Sequence, residues 1–324
     1  KMSWLTDPKY QYAIILTSLI GLISILKVIF VPLNGIYRHF IRSGLNIRKF
    51  GKWAVVTGAT DGIGKAMAFE FARKGLNIVI ISRSQDKLDL TLSEIKAKFG
   101  DKIEVKSLAI DFGKFDEAAR SNVHKLLSEL DVGVLVNNVG ISYPFTKYFD
   151  ELDDASVEAL IKLNIDSTTW MTRIVLPGMK SRRRGAIVNV GSAAGVSTAP
   201  LLSQYGAAKS YIAMFSKALN YELKSFGIHV QCQVPIYVTT KLAKLRKTSL
   251  FVASPSAYAR AAINSIGYEA ITSPYWSHDL QLWALDVLPE WLAAAITFSM
   301  HKAIRKAGLK KEAKALEEAK SKLA

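Results

Sequence analysis

The chain has 324 residues, half of them hydrophobic, which suits one large α/β domain with attachments and a sizeable core. Its single cysteine, Cys232, excludes an intrachain disulfide and any multi-cysteine metal site, and the five histidines show no metal-ligand spacing, so no metal is expected. The formal charge of +16, from 43 Lys and Arg against 27 Asp and Glu, suits a polyanionic partner, anionic lipid or a solvated face; no nucleic-acid motif accompanies it, so nucleic acid is not expected as a partner.

In chain order, residues 13–26 are apolar or hydroxylic without a charge, and after Lys27 the apolar character resumes to Leu33. The span is long enough to cross ~30 Å of hydrocarbon at about 1.5 Å per residue, with Lys27 near one end able to snorkel. A cleaved signal peptide competes, but its n-region would hold Asp7 as well as Lys9 and no clear cleavage site follows. A membrane anchor is favoured. Arg38, Arg42, Arg48, Lys49 and Lys52 follow it, which predicts that the rest of the chain faces the cytosol.

From Trp53 onward, strands at residues 53–57, 78–82, 105–110, 132–136, 186–190 and 229–234 alternate with helices at 63–74, 86–99, 116–129, 157–176 and 203–226. The alternation predicts a Rossmann-like, doubly wound parallel sheet covered on both faces. Residues 239–283 lack strong periodicity. Residues 280–300 are apolar, but Asp286, Pro289 and Glu290 interrupt them, which argues against a clean second span. An interfacial helix, a lid over a substrate tunnel and a core helix all fit. Lys180, Arg182, Arg183 and Arg184 form one basic cluster; residues 302–322 form another, relieved by Glu312, Glu317 and Glu318. The expected organisation is an anchor and basic linker (1–50), a nucleotide-binding domain (51–240), a substrate-binding and membrane-associated region (241–300), and a basic tail (301–324), the last two forming an apolar and basic helical extension.

Thr57-Gly58-Ala59-Thr60-Asp61-Gly62-Ile63-Gly64 joins the first strand to the first helix. Glycines there allow a sharp turn and close approach to a pyrophosphate, and the helix N-terminus offers free N–H groups. A glycine triplet alone is weak evidence; the strand–turn–helix context strengthens it. The second strand ends in Ser82-Arg83 where an acidic residue would bind a ribose hydroxyl. Arginine pairs with a 2′-phosphate instead, which favours NADPH over NADH. Asp61 is an awkward neighbour for that phosphate.

Tyr205 and Lys209 stand four apart on one helix face. A phenol titrates near ~10, and a neighbouring ammonium is expected to lower that value toward the working range. Ser192 follows the fifth strand at its ligand-binding end and can hydrogen-bond a carbonyl. Asn164 is a candidate to order a relay water. A Tyr-x-x-x-Lys pair alone is common; with the nucleotide loop upstream, the set points to carbonyl reduction, Tyr205 giving the proton.

The glycine loop, Asn137-Asn138-Val139-Gly140, Asn164, Ser192 and Tyr205-Gly206-Ala207-Ala208-Lys209 resemble the short-chain dehydrogenase/reductase family over residues 52–240. Within it, Asn138-Val139-Gly140-Ile141-Ser142-Tyr143-Pro144, Val230-Gln231-Cys232-Gln233-Val234-Pro235, Phe251-Val252-Ala253-Ser254-Pro255, Tyr268-Glu269 and Pro274-Tyr275-Trp276 are similar to the membrane-bound very-long-chain 3-ketoacyl-CoA reductases and their 17-beta-hydroxysteroid dehydrogenase relatives. Val139 replaces the usual alanine of Asn-Asn-Ala-Gly, and Pro235-Ile236-Tyr237-Val238 replaces the common Pro-Gly turn. The resemblance implies a catalytic tetrad of Asn164, Ser192, Tyr205 and Lys209. It implies NADPH held by Gly58, Thr60, Asp61, Gly62, Ile63, Gly64, Ser82, Arg83, Asp111, Asn138, Tyr205, Lys209, Pro235, Val238 and Thr240. The substrate it implies is a long-chain 3-ketoacyl-CoA, reduced during fatty acid elongation, with a ketosteroid as the alternative. A non-catalytic, membrane-tethered dinucleotide-binding scaffold is the reading from another class. Membrane lipid and the other enzymes of elongation are expected partners, and a homodimer is allowed. Lys320-Ser321-Lys322-Leu323-Ala324 matches the lysine-x-lysine-x-x pattern of cytosolic tails retrieved to the endoplasmic reticulum, the expected membrane.

Overall fold

The computed structural model describes residues 8–243, 245 and 247–321. Asp7, the Lys27 side chain and residues 322–324 of the retrieval pattern lie outside the described residues. Helix α1 (Pro8–Ile36) is 29 residues long, about 44 Å at 1.5 Å per residue. A π-turn, Tyr37–Ile41, continues it. Among the described residues, Pro8–Ile41 is the one helix long and apolar enough to cross a membrane, with a mean hydropathy of 2.6, and Ile15, Leu19, Ile23 and Leu26 are exposed along it.

The domain after it alternates as periodicity predicts: β1 (Trp53–Thr57), α2 (Gly62–Arg73), β2 (Asn77–Ser82), α3 (Gln85–Phe99), β3 (Val105–Ala109), α4 (Glu117–Ser128) and β4 (Val132–Asn137). After α5 (Asp154–Ile161) and α6 (Ser167–Arg182) come β5 (Gly185–Val190), α7 (Ser203–Leu223) and β6 (Ile228–Gln233). Side chains on a strand alternate between its faces. Accordingly Ala54, Val56, Ile78, Ile80, Val134 and Val136 pack in one apolar cluster with α2 and α3, and Val55, Val79, Ile81, Leu135 and Ile187 in another with α4 and α6. A sheet covered on both faces must be apolar on both, and all five residues of β1 are buried.

The helix expected over residues 157–176 is interrupted. A π-turn, Lys162–Asp166, separates α5 from α6 and carries Asn164. Ser167 and Thr169 donate to the carbonyls of Leu163 and Ile165, and such back-bonding loosens a regular helical ladder. The basic cluster at the end of α6 is structural. Arg182 and Arg184 pair with Asp131 at 2.9 and 3.0 Å, Arg183 donates to the Ser225 carbonyl, and Lys180 lies over the Phe226 ring.

Residues 239–283, aperiodic in sequence, contain regular elements. β7 (Tyr237–Val238) pairs with β8 (Val252–Ala253). α8 (Pro255–Asn264) buries Tyr258, Ala259, Ala262 and Ile263; three of these four are alanine or the polar-tipped tyrosine, so the stripe is faint in sequence. β9 (Ile271–Thr272) joins beside β6 and completes a seven-stranded parallel sheet of order β3-β2-β1-β4-β5-β6-β9. α9 (Trp276–Asp286) then packs on α1. Pro289 ends the connecting turn, and α10 (Glu290–Ser321) runs 32 residues, so the apolar stretch before residue 300 and the basic run after it share one helix.

The basic residues after α1 also dock it. Arg38 Nη2 and His39 Nε2 reach Asp279 Oδ2 at 2.6 and 2.9 Å. Arg42 grips both carboxylate oxygens of Glu269 at 2.5 and 2.9 Å and stacks over the Tyr268 ring at 3.8 Å.

Candidate active site

The strand order reverses direction at β1 and β4, and ligands of such sheets bind beyond the carboxyl ends of the strands near that point. The expected residues gather along that edge. Gly58 follows β1, Arg83 follows β2, Asp111 lies just past β3, Asn138 follows β4, Ser192 lies just past β5, and Pro235 just past β6.

At the glycine loop, Gly58 and Gly62 hold φ of +62° and +55°, conformations open to residues without a Cβ. Gly64 lies so close to Asn138 and the Gly58 carbonyl that a Cβ would collide with both. α2 starts here, so the N–H groups of Ile63 and Gly64 fall in its first turn, where helices offer unsatisfied donors to an anion. The Asn138 amide donates to the carbonyls of Thr57 and Gly58 at 3.1 and 3.2 Å; its amino group holds the loop rather than pointing free toward a ribose. Thr60 and Ser82 are joined through their hydroxyls at 3.1 Å. Arg83 is exposed and pairs with no carboxylate among the described residues. Asp111 caps the turn after β3, accepting from Gly113 N–H at 2.9 Å.

The awkward Asp61 is neutralised by its neighbours. It caps α2, accepting from Gly62 N–H at 2.8 Å, and Lys241 reaches it at 2.9 Å. Partial burial pushes its carboxyl up, but Lys241, the Gly62 N–H and Lys65 together hold it below the usual range. Thr240 sits against Gly62, so the segment after β7 closes over the loop. Val238, buried in that strand, fixes the segment's base.

Tyr205 and Lys209 project from the start of α7. Ser192 hydrogen-bonds the Tyr205 phenol, yet burial, the larger effect, pushes the phenol above its ordinary value. The expected lowering by Lys209 is therefore corrected. Lys209 Nζ stands 5.9 Å from the Tyr205 ring centroid and donates to the Val190 carbonyl at 2.9 Å. Burial brings its own value down to about 8. Asn164 Nδ2 donates to the carbonyls of Ile141 and Leu160 at 3.0 and 2.9 Å. A Cβ on Gly140 would stand 2.6 Å from Asn164 Oδ1 and 3.3 Å from Lys209 Nζ, so those two side chains converge on Gly140.

Two supports are invisible in sequence. Tyr143 accepts from the N–H of Gln204 at 3.0 Å, beside Tyr205. His278, fully buried in α9, accepts from Ile236 N–H through Nδ1 at 3.3 Å and donates through Nε2 to the Tyr237 carbonyl at 3.0 Å. Burial lowers it to about 4, so it stays neutral and holds the segment that replaces a Pro-Gly turn. Pro235 is tied from the other side, its carbonyl accepting from Ala193 N–H at 3.0 Å. A lone histidine carries no spacing signal that would have found it.

Comparison with known proteins agrees with this arrangement. Residues 52–249 match the short chain dehydrogenase family. The very-long-chain 3-oxoacyl-CoA reductase of Macaca fascicularis is 44% identical over 263 residues, covering 81% of this chain and 83% of that one. The Homo sapiens protein of the same name is 43% identical over 82% of this chain and 84% of its own. A short-chain dehydrogenase from Sphingobium yanoikuyae, solved in complex with NADPH, superposes with a TM-score of 0.63 and 29% identity over 73% of this chain and 92% of that one. With its glycine loop, its Tyr205–Lys209 pair and relatives that match most of its length, the chain belongs to the short-chain dehydrogenase/reductase family.

Proposed function

We propose that the protein reduces the 3-oxo group of a long-chain acyl-CoA to an alcohol with NADPH as reductant. The observation that carries the chemistry is the meeting of Ser192 with Tyr205, and of Asn164 with Lys209, at the edge that also holds the glycine loop. The loop of Gly58 and Gly62, both at positive φ, and Gly64, packed against Asn138 and the Gly58 carbonyl, fits the close backbone approach that a pyrophosphate needs, and exposed Arg83 fits a 2′-phosphate. When bound, the cofactor supplies the hydride.

The chain's own residues supply the rest. Ser192 orients the carbonyl oxygen and stabilises the charge that develops there. Tyr205, a phenol protonated at neutral pH whose value burial raises further, is poised to give its proton to that oxygen. Lys209, 5.9 Å from the Tyr205 ring centroid and converging with Asn164 on Gly140, relays the returning proton, and Asn164, fixed in its π-turn, orders its path. A scaffold without turnover would need none of these four. The named relatives support the acyl-CoA substrate. Tyr205→Phe is expected to fold and bind NADPH but to lose reduction by at least ~10²-fold. Near-normal turnover would remove Tyr205 from the chemistry. Faster NADPH oxidation with a ketosteroid than with a long 3-oxoacyl-CoA would replace the substrate.

The same proposal has α1 anchoring the protein in the endoplasmic reticulum membrane with the catalytic domain on the cytosolic side. The apolar span and the basic residues after it support this. Membrane lipid and the other enzymes of fatty acid elongation are then its partners, and the exposed Tyr211, Met214 and Tyr221 on α7 support a homodimer.

A further inference from the structure

A cleft of about 830 Å³ lies between α1, α7, α9 and α10, within the ~300–1,000 Å³ typical of small-molecule sites. One end starts at Ala194 and Gly206, close in sequence to Ser192 and Tyr205; at the other, Val31 of α1 contributes a wall with Leu282, Trp283 and Ala293. The polar groups in its lining are largely occupied. Ser197, Ser210 and Thr297 donate to the carbonyls of Ala193, Gly195 and Ala293 at 2.9, 3.0 and 2.9 Å. Thr198 bonds Glu290 at 3.1 Å, and Asp279 is held by Arg38 and His39. Asp286 and Ser203, both exposed, and the buried indole N–H of Trp283 are left. A wall whose hydroxyls are mostly bonded already, with one indole N–H free, asks for few polar groups on a ligand, while Asp286 and Glu290 disfavour a polyphosphate.

The mouth is fixed relative to α1. The Arg38–Asp279 and Arg42–Glu269 pairs clamp the end of α1 to the domain, so Val31, near the end of the apolar stretch, stays beside α9 and α10. The elbow between those helices exposes Val287 and Trp291, 45% and 72% accessible, which extends the apolar surface of α1 onto the domain.

We propose that this cleft seats the hydrocarbon chain of the substrate and opens sideways to the bilayer past Val31. The proposal rests on the acyl-CoA function proposed above and adds where the chain lies. The phosphate-bearing end stays away from the Asp286 and Glu290 rim.

The test uses the full chain in nanodiscs. In Ala293→Trp, which fills the cleft, the ratio of kcat/KM for 3-oxostearoyl-CoA to that for acetoacetyl-CoA is expected to fall at least ~10-fold, the scale of losing a few methylene contacts. An unchanged ratio, with either both rates kept or both lost equally, overturns the cleft assignment and leaves the substrate proposal standing. If the unaltered protein reduces neither ester, both proposals fall. Independently of any variant, a 3-oxoacyl-CoA with a diazirine at its chain terminus should label peptides of α9, the start of α10 or the end of α1. Labelling confined to other elements overturns the assignment.

Discussion

Lys209 is 6% exposed and its ammonium faces a backbone carbonyl rather than a carboxylate. Its value falls from 10.5 unfolded to about 8 folded. The folded chain therefore binds this proton less tightly than the unfolded chain, and below about pH 8 the buried ammonium opposes folding by on the order of 3 kcal/mol. That cost is relieved as pH rises from about 8 to 10.5. Lys209→Met should therefore melt at or above the temperature of the unaltered protein near neutral pH, with a flatter pH dependence of stability in that window, while losing reduction. A lower melting temperature throughout would show that the Val190 contact outweighs the desolvation. The same burial that raises Tyr205 and lowers Lys209 favours a protonated donor and a lysine close to its switching point near neutrality. Spacing reveals that these two side chains share a face; which way each titrates depends on what covers them.

At the scale of elements, α8 connects stability to the nucleotide loop. It packs against α2, whose first turn forms the loop. Ser254 caps α8, accepting from Ala257 N–H at 3.2 Å, and Pro255 stands in its first turn. Ser254→Ala should cost about 1 kcal/mol and lower the melting temperature by roughly 2–4 °C, with activity retained at low temperature; no shift in a calorimetric scan would mean that the helix is held by packing alone. The π-turn at Lys162–Asp166 is the other element with consequences. An extra residue in a turn rotates the succeeding helix about its axis, and π-turns collect at functional sites. Here it sets Asn164 against Ile141 and Gly140. Apolar periodicity shows that a helix runs through this region, but not a one-residue offset within it, because the apolar stripe on either side is only slightly displaced.

For the whole molecule, the orientation of α1 to the domain rests on its packing against α9 and on a few charged contacts far apart in sequence. Arg42 touches Glu269 and Tyr268. Half-burial pushes the Glu269 carboxyl up, but Arg42, the backbone N–H of Glu269 and Arg38 together offset this and hold it below its usual range. A depressed carboxylate stabilises above its unfolded value and loses that stabilisation as pH falls through its folded value, so this clamp weakens in acid. Arg42→Ala should leave the melting of the catalytic domain nearly unchanged and speed proteolysis of the segment between α1 and β1. Unaltered cleavage would mean that Asp279, with Arg38 and His39, suffices.

The sequence by itself determined the alternating strands and helices and the glycine loop, because each depends on local periodicity or on short spacings within one element; Asn164, Ser192, Tyr205 and Lys209 it offered as candidates, through their order along the chain and a family resemblance. It also marked the apolar span of α1. The tertiary structure alone decided what lies between elements distant in sequence. It brought His278 under the Ile236–Tyr237 backbone, set Lys241 on Asp61, turned the Arg182 and Arg184 cluster onto Asp131, and laid α9 and α10 beside α1. Those contacts join residues tens to hundreds of positions apart, and burial at them sets the charge states and the cleft, quantities that no local pattern encodes.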